Sequence, residues 1–153
     1  FLITVVGVTP IWAEGGSESN ANDFQNRRSI QVIVNEGSEV SILSRKQVMS
    51  LFLGRTRSFP NSKIAKALDH QVDSDTRKLF FEALTGKSIS DIDAYWARLR
   101  YSGRASPPKS MDNTDQILDA VKQNPNVIAY VVGQNKLELA QQKIVVVYVV
   151  EAN

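Results

Sequence analysis

The chain has 153 residues, of which 42% are hydrophobic and 22% charged, a balance typical of one globular domain. Its formal net charge of +2 and the absence of any block of Lys and Arg argue against a nucleic-acid partner. Because Cys is absent and His occurs once, the sequence excludes disulfides, thiol catalysis and metal sites built from thiolates or several histidines.

The first 13 residues, FLITVVGVTPIWA, are apolar, end in a small residue and precede the polar run EGGSESNAND. This pattern is typical of the hydrophobic region and cleavage site of a secretory signal, and the run is too short to span a bilayer, which needs about 20 apolar residues. The alternative is a buried first strand, for which Pro10 is awkward. We expect residues 1–13 to be a signal-peptide remnant, residues 14–28 a polar linker and residues 29–153 the domain of a periplasmic or secreted protein.

Local signals are clear in the next part of the chain. The β-branched run at residues 30–35 predicts a buried strand. Ser44, with Gln47 three residues later, predicts a helix that opens with a capping box, and Gly54 is the expected stop. A basic loop that contains Pro follows, at residues 55–61.

The middle of the chain combines a strand, a polar turn and a helix. Residues 64–68 predict the strand, and the helix that follows the turn ends at Gly86. The first N–H groups of a helix have no partner and the helix dipole is positive there, so α/β proteins hold anions at such places. Ser74 and Thr76 supply hydroxyl groups for this purpose. The alternative is that Asp73 or Ser74 simply caps the helix.

Beyond this helix, Ser88 predicts the start of another one, and a further helix ends before Pro125. Apolar runs at residues 127–132 and 143–150 predict two buried strands, separated by a polar stretch. Strands thus alternate with helices along most of the chain. This order predicts a single three-layer α/β lobe with a mostly parallel or mixed sheet, whose ligand site lies beyond the carboxyl ends of the strands.

Catalysis finds little support in the residues. His70 is the only candidate base, and a Ser74–His70 pair lacks the oriented third group that a nucleophile needs. Asp73 and Asp75 are acids in one turn, where carboxylates usually cap or face solvent. A G-x-S-x-G nucleophile turn, a phosphate-cradling Gly loop and a calcium-loop spacing are all absent from the sequence. We therefore predict a protein that is not an enzyme, with no cofactor and no metal site.

Three stretches resemble the periplasmic phosphate-binding proteins of ABC importers. LSRKQVMSLFLGRTRSFPN is similar to their segment LT-x-x-Q-L-x-x-IF-x-G-x-x-x-x-W, and DHQVDSDTRKLFFEAL is similar to their turn R-x-D-G-S-G-T-x-x-x-F. NPNVIAYVV resembles their strand N-P-G-A-I-G-Y-V. The resemblance covers roughly residues 30–132, and the spacing is similar to that of short, single-lobe members of the family.

The resemblance implies a lobe of type II periplasmic-binding-protein fold that binds phosphate or a related oxyanion without chemistry. By position, Ser74 and Thr76 match the hydroxyl contacts of the family. The family's Arg falls on His70, and its Gly between the two hydroxyls falls on Asp75. A carboxylate there would repel a bound anion, by about 4 kcal/mol at 4 Å in an effective dielectric of 20. Arg77 is expected to offset part of this repulsion.

Two functions follow. The first is an extracytoplasmic solute-binding domain for a small oxyanion such as phosphate, with an ABC transporter permease or another envelope protein as partner. The second is a structural or protein-interaction module that keeps the lobe and has lost the ligand. Ser74, Thr76 and Arg77 favour the first function, whereas Asp75 and the missing second lobe favour the second.

Overall fold

A computed structural model describes residues 29–151 of the chain. The expected signal-peptide remnant at residues 1–13 and the linker at residues 14–28 lie outside the described residues and stay predictions. Within the described part, the helices are all too short or too polar to cross a membrane.

Residues 29–151 form five strands and five α-helices, which alternate along the chain except that two helices follow β2 in succession. The strands are β1 Ser29–Asn35, β2 Lys66–His70, β3 Lys109–Met111, β4 Val127–Val132 and β5 Ile144–Glu151. The helices are α1 Arg45–Phe52, α2 Asp75–Thr85, α3 Ile89–Tyr101, α4 Thr114–Gln123 and α5 Lys136–Gln141, and a short 3₁₀ turn at Glu36–Ser38 follows β1.

The strands form one mixed sheet in the order β3-β2-β4-β1-β5. Strand β2 runs parallel to β3 and β4, whereas β1 runs antiparallel to both of its neighbours, β4 and β5. The predicted α/β lobe with a mostly parallel or mixed sheet is therefore confirmed, in its mixed form.

Helices cover both faces of the sheet, which explains why the central strand β4 is apolar along its whole length. Its side chains alternate between two hydrophobic clusters. Ile128 and Tyr130 pack with α1, α2 and α3 on one face, whereas Val127, Ala129 and Val131 pack with α4 and α5 on the other. The lobe thus has three layers.

The capping box at the start of α1 is confirmed. The Ser44 side chain accepts a hydrogen bond from the Gln47 N–H, and the Gln47 side chain accepts one from the Ser44 N–H. The helix ends at Phe52, and Gly54 follows in the left-handed region with φ 66°. A Cβ atom at this glycine would come within 2.9 Å of Trp96 Cη2, so only Gly fits this turn without displacement.

Strand β2 differs from the sequence expectation, because it begins and ends two residues later than the predicted span of 64–68. Ile64 pairs with Ser58 in an isolated antiparallel bridge and is 59% exposed, so it belongs to the preceding loop. As a consequence Asp69 and His70 are the buried end of a strand and not part of a solvated turn.

Two short elements were not predicted. Helix α5 lies in the stretch that the sequence indicated as polar and irregular, and of its six residues only Leu139 is buried. The edge strand β3 has three residues and buries none of them fully. Apolar periodicity cannot identify elements that bury so little.

Candidate functional site

Helix α2 begins after a short turn that leaves the carboxyl end of β2. Ser74 is its N-cap, and the Ser74 hydroxyl oxygen accepts a hydrogen bond of 3.4 Å from the Arg77 N–H. Of the two residues that the sequence offered as the cap, Asp73 and Ser74, the structure gives this role to Ser74. The N–H groups of Asp75 and Thr76, which open the helix, have no acceptor within it. We call residues 74–76 the α2 turn.

The sequence predicts a ligand site at five residues: His70, Ser74, Asp75, Thr76 and Arg77. In the structure they are divided between the surface and the interior. Asp75 is exposed, and Ser74 and Thr76 are partly exposed at the α2 turn. His70 and Arg77, in contrast, are buried, with 7% and 5% of their surface exposed. The structure therefore brings three of the five to one surface and turns the other two into the protein.

Arg77 is held by two carboxylates from different elements. Its Nε atom donates to Asp69 Oδ2 at 3.0 Å, and its Nη2 atom donates to Asp93 Oδ1 at 2.7 Å. Its guanidinium carbon also lies 5.5 Å from the centroid of the Phe81 ring, a cation–π contact. Arg77 thereby joins the end of β2 to α2 and α3, and two of its donors are used inside the lobe.

Asp69 is the centre of this buried network. Besides the hydrogen bond from Arg77, the Asp69 carboxylate accepts one from the Tyr130 hydroxyl and one of 2.8 Å from the His70 N–H. Burial raises the pKa of the Asp69 carboxyl, against the opposing effect of the hydrogen bond from Tyr130 and the charge of Arg77. Burial, together with the adjacent Asp69 charge, raises the pKa of Tyr130 well above its ordinary value.

His70 is used by the backbone of the neighbouring strand. Its Nε2 atom lies 2.9 Å from the Tyr130 carbonyl oxygen, to which it donates. The Tyr130 ring in turn stacks on Phe80 with a centroid separation of 3.7 Å. Because His70 Nε2 is engaged by the Tyr130 carbonyl oxygen and the Ser74 hydroxyl contacts Arg77, the described residues do not form a Ser74–His70 catalytic pair.

The sequence analysis missed three members of this network: Asp69, Asp93 and Tyr130. One signal was available, because Arg77 precedes Phe80 and Phe81 by three and four residues and so lies on the buried face of α2. A cation on such a face requires buried anionic partners. The identity of those partners was not available, since Tyr130 meets Asp69 across 61 positions of sequence.

One donor of the network remains unpaired. Nη1 of Arg77 is inaccessible to solvent and has no hydrogen-bond partner among the described residues. Residues 29–151 also contain no group of three or more His, Cys, Asp or Glu placed to hold a metal ion. The α2 turn therefore offers backbone N–H and hydroxyl donors, with the exposed carboxylate of Asp75 among them.

This architecture is that of one lobe of a periplasmic-binding-protein fold, as solved structures show. A phosphate ABC transporter substrate-binding protein from Clostridium perfringens, solved with bound phosphate, matches with a TM-score of 0.58 at 16% identity, over 78% of this chain and 44% of that one. An ABC-type phosphate transport receptor from Vibrio cholerae matches with a TM-score of 0.57 at 13% identity, over 78% and 45%.

PstS from Borrelia burgdorferi matches with a TM-score of 0.60 at 5% identity, over 88% of this chain and 54% of that one. The chain thus spans about half the length of these proteins. No family model matches the chain, and no curated protein matches it in sequence. At such low identities the likeness shows the fold.

Proposed function

We propose that this lobe is a non-catalytic, extracytoplasmic solute-binding domain that takes phosphate or another small oxyanion at the α2 turn. The observation that carries the proposal is the pair of helix-opening N–H groups, on Asp75 and Thr76, at the carboxyl end of β2. In open α/β sheets this edge is where ligands bind, and a helix N-terminus favours negative charge. A protein of the same fold, the phosphate ABC transporter substrate-binding protein from Clostridium perfringens, was solved with bound phosphate, which supports an oxyanion as the ligand.

Hydroxyl groups complete the proposed site. Thr76 offers an O–H donor beside the two N–H groups, and the Ser74 hydroxyl keeps its proton available because its oxygen accepts from the Arg77 N–H. A tetrahedral oxyanion bound here would receive neutral donors only. Each of these hydrogen bonds is charge-assisted by the anion, but no cation at the turn offsets the ligand's charge, so we expect weak binding.

Arg77 acts in this proposal mainly as a positioning residue. Its bonds to Asp69 and Asp93 fix the first turn of α2 against the sheet and against α3. The sequence predicted that Arg77 and His70 contact the ligand directly. For Arg77, such a contact requires a local rearrangement that exposes its unpaired Nη1 atom. For His70, such a contact requires that its hydrogen bond to the Tyr130 carbonyl oxygen is broken.

A second candidate is a protein-interaction module that binds no small ligand, with an ABC permease or another envelope protein as partner. The charge balance near the turn favours it. Three carboxylates, those of Asp69, Asp75 and Asp93, accompany the single guanidinium of Arg77, and Asp75 faces solvent at the helix N-terminus. An anion approaching the α2 turn therefore meets net negative charge.

Isothermal titration calorimetry with phosphate, sulfate and acetate, at fixed low salt, separates the two candidates. The binding proposal predicts saturable heats for the tetrahedral phosphate and sulfate ions and weaker ones for acetate, whose carboxylate reaches fewer donors. Equal, non-saturable heats for all three anions would favour the interaction module.

A further inference from the structure

A second surface feature of interest lies at α1 and shares no residue with the network around Asp69. Helix α1 and the loop that follows it enclose a surface pocket of about 330 Å³. We call it the α1 pocket. This volume is at the lower end of the range for small-molecule sites, which suits a ligand of about ten non-hydrogen atoms.

The charged groups of the α1 pocket are all cationic. Lys46 and Arg55 line it, and none of the residues that line it is acidic. Neither side chain forms a salt bridge within residues 29–151. Two unpaired cations at one concave surface create a positive potential that attracts anions. Hydroxyl groups of Ser50, Thr56 and Ser58 line the same pocket.

The backbone that carries Arg55 is fixed. The Ser50 carbonyl oxygen accepts hydrogen bonds from the Arg55 N–H at 2.9 Å and the Thr56 N–H at 3.2 Å. Gly54, whose left-handed conformation and contact with Trp96 admit no side chain, sets the direction in which the chain leaves the helix. The backbone wall of the pocket is therefore formed before a ligand arrives, which reduces part of the entropic cost of binding.

Besides Gln47, the remaining residues that line the α1 pocket are apolar. Leu51 and Phe59 are 5% and 2% exposed and contribute its floor, and Pro60 is exposed at its edge. On the other side of Arg55, a smaller pocket of about 250 Å³ adds two more cations, Lys87 and Arg98, and one acid, Asp91. The combination of an apolar floor with several cations and hydroxyl donors fits a ligand that is anionic at one end and apolar at the other.

We propose that the α1 pocket binds a small organic phosphate monoester. Its phosphate group lies between Arg55 and Lys46, because a guanidinium forms paired hydrogen bonds with phosphate oxygens and a dianion neutralises both cations. Ser50 and Ser58 offer hydroxyl donors for the remaining oxygens, whereas the Thr56 hydroxyl already donates to the Ser58 carbonyl oxygen. Together with the two cations, these donors exceed what the two oxygens of a carboxylate can use. The apolar body of the ligand lies against Pro60, the exposed apolar residue of the pocket lining, above the nearly buried Leu51 and Phe59.

Calorimetric titration of the full chain with phenyl phosphate tests this proposal. We expect saturable binding that Arg55→Gln weakens roughly tenfold and Lys46→Gln weakens by a smaller factor, as for loss of one charge-assisted contact. Arg100→Gln is the matched control, since Arg100 is an exposed cation of α3 that lines neither pocket. Equal melting temperatures will show that the variants are folded.

Two further compounds test which parts of the ligand the α1 pocket recognises. Phenol, which lacks the charge, should not bind, and inorganic phosphate should bind this pocket more weakly than phenyl phosphate because it lacks the apolar body. Absence of phenyl phosphate binding at millimolar concentration would overturn the proposal. Equal losses in Arg55→Gln and Arg100→Gln would also overturn it, because they would indicate attraction to net charge alone.

A change in the α2 turn separates this proposal from the proposed function. Asp75→Gly should leave the affinity for phenyl phosphate unchanged, since Asp75 does not line the α1 pocket. If Asp75→Gly alters phenyl phosphate binding as strongly as Arg55→Gln does, the ligand occupies the α2 turn and the α1 pocket is not its site.

Discussion

Replacing Arg77 by Met should destabilise the lobe strongly, because it leaves the buried carboxylate of Asp69 without its cationic partner. The Asp69 side chain is 4% exposed and the Arg77 side chain 6%, so water cannot replace the lost partner. Removing one member of a buried ion pair typically costs about 3–5 kcal/mol. Met keeps most of the apolar volume of the Arg stem, which limits the contribution of lost packing.

The structure places the expected loss near the lower end of that range. Asp69 keeps two donors, the Tyr130 hydroxyl and the His70 N–H, after Arg77 is removed. The cation–π contact with Phe81 adds about 0.5–1 kcal/mol to the loss. We therefore expect Arg77→Met to lower the free energy of unfolding by roughly 3–4 kcal/mol.

Urea unfolding followed by far-UV circular dichroism measures this quantity, with Asp93→Asn as the internal comparison. The Asp93 side chain is 46% exposed, so loss of its charge should cost about 1 kcal/mol or less. The double variant Asp69→Asn/Arg77→Met should be more stable than the sum of the single effects predicts, because it leaves no buried charge unpaired. A loss below about 1 kcal/mol in Arg77→Met, together with loss of phosphate binding, would show that Arg77 is a ligand contact and not a structural residue.

Other changes test single parts of the structure. Ser44→Ala removes the capping box of α1 and should lower the free energy of unfolding by about 1 kcal/mol, measured by urea unfolding. Gly54→Ala places a Cβ atom in a left-handed turn against Trp96 and should cost about 1–2 kcal/mol or more; an unchanged melting temperature would contradict the fixed turn. Tyr130 has its pKa raised in the folded state, so above pH 10.0 the unfolded chain loses the phenol proton first and stability falls as the pH rises. Between about pH 10 and pH 11, the unfolding free energy of Tyr130→Phe should therefore fall less steeply than that of the parent chain, by up to about 1.4 kcal/mol per pH unit. Parallel pH profiles of the two proteins would contradict the raised pKa.

The elements that local chemistry specifies were predictable from the sequence. Ser44 and Ser88 cap the helices that the sequence assigned to them, because a side-chain oxygen and a nearby N–H group suffice to define a helix start. The predicted span of β4 agrees with the structure, residue for residue, since both of its faces are buried and its apolar run is unbroken.

The interior of the candidate site was not predictable in the same way. Asp69 and His70 end the apolar run of β2, and a polar residue after such a run usually belongs to a turn. They are buried because distant groups satisfy them: the Tyr130 hydroxyl and carbonyl come from β4. The sequence therefore predicted the polar surface of the α2 turn and missed the network beneath it, which depends on contacts between elements.

The most direct test of the account is to compare phosphate affinity between the parent chain and Asp75→Gly. The substitution removes a carboxylate from the first turn of α2, where the helix dipole favours an anion, and it lets the ligand approach the backbone. We predict tighter binding by about 1 kcal/mol, or roughly fivefold, at fixed low salt. Asp115→Gly makes the same change in the first turn of α4 and should leave the affinity unchanged. If neither the parent nor Asp75→Gly binds phosphate at millimolar concentration, the α2 turn is not an oxyanion site.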